Sequence, residues 1–296
     1  MKPATGRRRD TGEQGAALFL VLLLLLVGGG LVFVSRIKSA QVELEAQRKT
    51  SAALAVAKQA LLGYAVLDPG SAKLNPGRLP CPDQDNDGNA QGAACATPYV
   101  GWFPWRTLDT GDLRDGTGQR LWLLVDGAFR SGGGPLNTNT QPSLTLDGQP
   151  VVAVLFAPGP VLDRLGQVRP GSGPFSAPSA YPNYLEGVTR SPPAVHTAPS
   201  SDTYNDSVLA LTPQTLFTLV TQRMARELAA VNPPPYSATT VADLNKPSLW
   251  IANQWDDALD PSSTVSPTAI TLKFRNCAIV YTITGKDAVT RDRPSC

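Results

Sequence analysis

The chain has 296 residues, with 26 basic and 24 acidic side chains and 42% hydrophobic residues. The formal excess of +2 lies wholly in residues 1–15, where Lys2, Arg7, Arg8 and Arg9 face Asp10 and Glu13, so the remainder is neutral and gives no electrostatic case for nucleic acid. Proline (27) and glycine (26) together make about 18% of the chain against a usual 12% or so, which favours a loop- and strand-rich head over a helical bundle; the hydrophobic content excludes a disordered chain.

The first element is an apolar run, Ala16 to Val34, of 19 residues without a charge. At 1.5 Å per residue it reaches about 28 Å, close to one bilayer core. The small pair Gly15-Ala16 stands before this run, whereas a secretory signal is cut after its apolar core. A cut between Gly15 and Ala16 would remove the charged leader, residues 1–15, and keep the apolar segment. The basic excess near the run lies on its N-terminal side, with only Arg36 and Lys38 on the other. The expected topology is therefore a single pass, N-terminus cytoplasmic, with the large domain across the membrane. Gly28, Gly29 and Gly30 interrupt the run, either as a close helix-packing surface or as a place to unwind; both readings stay open.

Helix formers continue past Ser35. Apolar side chains at Val42, Ala46, Ala53, Ala57, Ala60, Leu61 and Tyr64 keep helical spacing until Asp68-Pro69-Gly70. One helix is predicted over 16–67, membrane-embedded in its first half and amphipathic in its second. A head of residues 68–296 follows. Within it, Gly77 to Thr110 reads as irregular, Leu121–Val125 as a strand, and Leu144–Leu146 with Val151–Phe156 as a hairpin about Asp147-Gly148. Pro158 to Thr203 is a long Pro/Gly/Ser-rich connection. Asn205–Leu211 is a further strand. Thr212-Pro213 opens a helix with an apolar stripe of Leu216, Phe217, Val220, Met224 and Leu228, ended by Asn232-Pro233. The segments 269–274 and 277–284 form a hairpin around Arg275-Asn276. The expected class is α+β: a long N-terminal helix packed on an antiparallel-sheet, loop-rich head.

Four cysteines, Cys81, Cys95, Cys277 and Cys296, suggest disulfides in a domain outside the cytoplasm. Three pairings are open; the local one, Cys81 with Cys95 and Cys277 with Cys296, is expected. Asp83-x-Asp85-x-Asp87-Gly88 matches the first half of a calcium loop, with Asn89 and Gln91 at later ligand positions and Asp109 or Asp112 as further donors. The twelfth position is Ala94, where a bidentate Glu belongs. The competing reading, an Asx-turn-rich loop closed by Cys81–Cys95, carries more weight. No other cofactor is expected. Trp102, Phe103, Trp105 and Trp122 form either an exposed carbohydrate or partner platform or, by default, core. The single histidine, His196, lies in SPPAVHTAPS without rigid flanks, and neither G-x-S-x-G nor a phosphate-binding glycine loop occurs, so no enzyme is expected. Glu186, in NYLEG, is a ligand contact or the organiser of a polar turn.

The leader, the Gly15-Ala16 junction, the apolar run and its amphipathic continuation together resemble the type IV pilin-like proteins, the prepilins of type IV pili and the pseudopilins of type II secretion. AKQALLGYA, GRLPCPD, GWFPW, LFAPG, NYLEG and NDSVLALT resemble a group of prepilin-type proteins of Gram-negative bacteria. The Cys277–Cys296 pair resembles the C-terminal disulfide of many pilins. The resemblance implies processing at Gly15 with methylation of the new N-terminus, although Ala16 stands where phenylalanine is common. Major pilins usually carry a glutamate at the fifth mature position. Here that position is Leu20, which resembles minor pilins and the tip pseudopilin. The implied function is a non-catalytic minor pilin or pseudopilin that joins or caps a pilus or secretion filament. Its implied partners are other pilins, the prepilin peptidase, the inner-membrane assembly platform and inner-membrane lipid, with the head in the periplasm and the filament reaching the cell surface. The alternative is a signal-anchored periplasmic binding or adhesive module that never enters a filament.

Overall fold

The first helix, α1 (Gly12–Leu67), changes character along its length. The computed structural model describes residues 12–67, 74–92, 95, 100–169 and 180–296, with the side chains of 12–18 and 26–40 outside that description. The basic leader up to residue 11, the Asp68-Pro69-Gly70 stop and part of the long connection, 170–179, lie outside the described residues. The chain divides into two units, Met1–Arg48 and Lys49–Cys296, and the boundary falls inside α1. Among the described residues one helical segment, Gln41–Leu67, is apolar and long enough to cross a membrane, and a third (33%) of its apolar window is buried.

That burial follows the predicted stripe from Ala53 onward. Ala53, Leu54, Ala57, Leu61, Leu62 and Ala65 enter the main core, with Ala60 beside them. Val42 does not join the stripe: it is 67% exposed, because the head's core begins a full three turns later. Three contacts along this stretch tie the helix into the head. Thr50 Oγ1 accepts from Gly116 N–H (2.9 Å), Ala65 C=O accepts from Gly77 N–H (2.8 Å), and the Arg223 guanidinium donates to Val66 C=O. A cation at a helix C-terminus also complements the helix dipole.

The central sheet has the order β1-β2-β5-β8, all antiparallel: β1 (Val100–Trp102), β2 (Trp122–Val125), β5 (Ala153–Ala157) and β8 (Ser207–Leu211). Every residue of β2 and β5 is buried, so the sheet is covered on both faces. Alternate side chains divide between two cores. Leu123, Val125, Ala153 and Leu155 face the core shared with α1 and α2 (Pro213–Val231). Trp122, Leu124, Val154 and Phe156 face a second core with Leu144, Tyr184, Leu185 and Val195.

The second core is roofed by a small sheet, β4-β3-β7-β6, built from β3 (Thr145–Leu146), β4 (Gln149–Pro150), β6 (Val188–Arg190) and β7 (Pro193–Val195). Two expectations change here. The Asp147-Gly148 turn is present, with positive φ at both residues (49° and 78°) as a type I′ turn requires. Its second arm, however, is only β4. Val151 N–H still donates across to Leu144 C=O (2.9 Å), and from there the chain enters the central sheet, where Val152 N–H donates to Leu211 C=O (2.8 Å). The long connection also supplies strands β6 and β7, and β7 pairs with β3 in parallel, so the head is not wholly antiparallel.

Helix α2 begins as the sequence predicts: Thr212 Oγ1 caps it by accepting from Thr215 N–H, and Pro213 opens it. Its stripe, Leu216 to Leu228, is buried against both the central sheet and a C-terminal sheet, β9-β10-β11-β12. In that sheet β10 (Ile270–Phe274) and β11 (Cys277–Gly285) form the expected hairpin; β9 (Thr264–Val265) and β12 (Ala288–Arg291) add its edges. A short helix, α3 (Ser248–Ala252), brings Trp250 to Trp255 and Phe274, and Phe274 in turn meets Tyr281.

Candidate functional site

Both disulfides are local: Cys81–Cys95, with Cα atoms 5.6 Å apart, and Cys277–Cys296, at 4.5 Å. Such bridges persist in oxidising compartments. The second fastens the chain end beneath α2, where Cys296 N–H also donates to Thr218 Oγ1 (2.9 Å).

The first closes the loop that carries Asp83, Asp85 and Asp87. One carboxylate oxygen from each lies within 4.8 Å of the others, as a cation site requires. The roles of the three differ. Asp83 is fully buried, and backbone amides surround it: Oδ1 accepts from Asp85 N–H (3.0 Å) and Asn86 N–H (2.7 Å), Oδ2 from Gly88 N–H (2.7 Å). Burial pushes its carboxyl up to about 6 against those hydrogen bonds. Asp87, exposed, is held below the usual carboxylate range by the Asn89 side-chain and backbone N–H groups. Asp112 is engaged elsewhere, by Arg114 (2.6 Å) and Arg120 (2.9 Å), and is not part of the shell. Asp109 is not part of the grouped acids either. Ala94 lies outside the described residues. A calcium ion would take two exposed carboxylates and compete with three amides for Asp83, so the loop's own hydrogen bonds are those of an Asx turn.

The loop is held from behind by GWFPW. Asp83 and Trp102 exchange backbone hydrogen bonds, both at 2.9 Å. Gly101 is needed for that approach, since a Cβ there would lie 2.3 Å from Asp83 C=O. Gly88, at φ +91°, lies against the Trp105 indole, which is flanked by Arg106. Trp102, Phe103 and Trp122 are buried and Trp105 is half-buried, so the aromatic group is core rather than an exposed platform.

A second polar centre joins three of the sequence's distinctive segments: LFAPG, NYLEG and NDSVLALT. Glu186 is buried and accepts from Gln167 Nε2 (2.6 Å) and Asn205 N–H (3.1 Å), while its own N–H donates to Asp206 Oδ2 (2.8 Å). The polar-turn reading of Glu186 therefore holds. Asp206 is a member the sequence reading missed. Burial first, and the Glu186 charge second, push its carboxyl up to about 8. Its Oδ1 has no hydrogen-bond partner. Arg169 is drawn in over the Tyr184 ring at 4.9 Å and donates to Asn183 C=O (3.0 Å). Nothing in the sequence flags Asp206, because a lone Asp before a strand is ordinary. His196 is exposed.

Gly15 and Ala16 lie within α1, their surroundings outside the described side chains. Compared with protein-family models, curated proteins and solved structures, the chain matches none.

Proposed function

We propose that this chain is a minor pilin-like subunit with no catalytic role, trimmed between Gly15 and Ala16 and placed at or near the end of a type IV pilus or type II secretion filament. The observation that carries the reading is α1. A helix whose N-terminal stretch holds 19 uncharged residues, with Phe19–Leu25 all exposed, continues into a stripe buried in the head. Such a helix needs an apolar surrounding for its first part, either lipid or the equivalent helices of other subunits. In this reading the leader is cytoplasmic, the head periplasmic, and the partners are other pilins, the prepilin peptidase and the assembly platform. Leu20, in place of a buried carboxylate, removes the need for a cationic partner ahead of it in the filament. The two disulfides support an oxidising compartment for the head.

An anchor exchange tests this. Replacing residues 1–40 with an unrelated single-pass anchor should leave the head folded and membrane-bound but abolish its copurification with the host's filament subunits. Undiminished copurification would contradict the proposal and favour the anchored binding module.

A further inference from the structure

A groove of about 530 Å³ opens where the 138–141 loop, β4 and the first turn of α2 meet, with Asn276 of the β10–β11 turn also on its wall. The volume lies within the range of small-ligand sites. Among the described residues its lining carries no charged side chain. Four carboxamides converge there, Gln141, Gln149, Gln214 and Asn276, together with the hydroxyl of Thr138. Thr138 is 1% exposed, and its Oγ1 has no hydrogen-bond partner. That hydroxyl is buried beneath the groove surface rather than open on it, so the exposed carboxamides are the groups a ligand meets.

The wall is rigid. Asn137 Nδ2 donates to Asn253 C=O (2.9 Å) and Gln254 C=O (3.1 Å), and Asn276 Nδ2 donates to Thr138 C=O (3.1 Å). The loop is thus fixed to two distant segments before any ligand arrives, which lowers the ordering cost of binding.

The chemistry of the lining narrows the occupant. With no cation on the wall, a phosphate or carboxylate has no countercharge; with no carboxylate, neither has a metal or an amine. Pro150 removes an N–H from the exposed strand β4, so a peptide cannot extend that sheet by a regular ladder. Pro213 removes an N–H from the first turn of α2, which weakens the helix end as an anion site. What remains are carboxamides and hydroxyls, each both donor and acceptor, the complement of adjacent sugar hydroxyls. We propose that this groove binds a short neutral saccharide.

The full-length protein in lipid nanodiscs is probed by saturation-transfer NMR with maltotriose, cellobiose and N,N′-diacetylchitobiose, and with an uncharged glycine tetrapeptide as control. The expected result is transfer to the ring protons of at least one saccharide, with a Kd of about 1 mM. It should weaken about tenfold or more in Gln149→Leu/Gln214→Leu, whose side chains are exposed and whose loss leaves the melting temperature unchanged. Should the double variant melt early, Gln141→Leu takes its place. No transfer to any saccharide at about 10 mM, transfer undiminished in the variant, or transfer to the peptide alone would each overturn the proposal.

Discussion

Two stretches of α1 share one helix and almost no environment. From Phe19 to Leu25 every side chain is large, apolar and about half or more exposed. From Ala53 to Ala65 the apolar positions are small as often as large, and Ala57, Leu61 and Ala65 are wholly buried. A surface helix of a globular head needs one apolar stripe; a helix in lipid is apolar all round. The second stretch obeys the first rule and the first stretch the second. The same backbone element thus presents two different surfaces, and each stretch should respond to mutation in its own way.

The largest contrast is between Leu61 and Leu22. Leu61→Ala removes a wholly buried side chain and should destabilise the head by about 2–5 kcal/mol. Leu22→Ala removes comparable apolar surface from a side chain that is 56% exposed, and the head's denaturation midpoint should not move. Equal shifts in full-length protein would break the division of α1 into two environments.

Next comes the chain end. Cys277→Ser with Cys296→Ser opens a bridge spanning 19 residues in sequence, expected to cost about 3 kcal/mol. The loss should appear in the β10–β11 sheet and α2 as faster amide exchange. The Glu186–Asp206 centre, on the far side of the central sheet, should keep its exchange rates.

A smaller effect belongs to that second centre. The Asp206 carboxyl stands at about 8 in the folded head against 3.8 unfolded. The folded state therefore holds a proton that the unfolded chain releases. The stability linked to this group is full below 3.8, declines as pH rises and is gone above about 8. Asp206→Asn, which carries no titrating proton, should flatten the pH dependence of melting over that window. An unchanged slope would contradict the assignment.

Much of this arrangement is legible from residue pattern alone. The Ala/Leu spacing after Ala53, the Thr212-Pro213 helix start, the β10–β11 hairpin and the local cysteine pairing all follow from short-range chemistry. The failures share a cause. Val42 keeps the helical spacing but stays exposed, because spacing says nothing of where the head begins. Strand β1 was hidden because Val100-Gly101-Trp102 is brief and glycine-centred, and its glycine is needed for the approach of Asp83. The segment 144–156 reads as one hairpin because the apolar residues of its second arm run on without punctuation; burial on both faces of β5 erases the alternation that would divide it. The candidate sites divide likewise: Asp83, Asp85 and Asp87 alternate within five residues and are legible in the sequence, whereas Glu186 with Asp206, and the carboxamides around Thr138, meet only through the fold.

The most direct test of the account is the intact mass of the protein taken from membranes, with and without a coexpressed prepilin peptidase. The expected result is a peptidase-dependent loss of residues 1–15, leaving Ala16 at the N-terminus, and no loss in Gly15→Asp. A full-length mass under both conditions would contradict it.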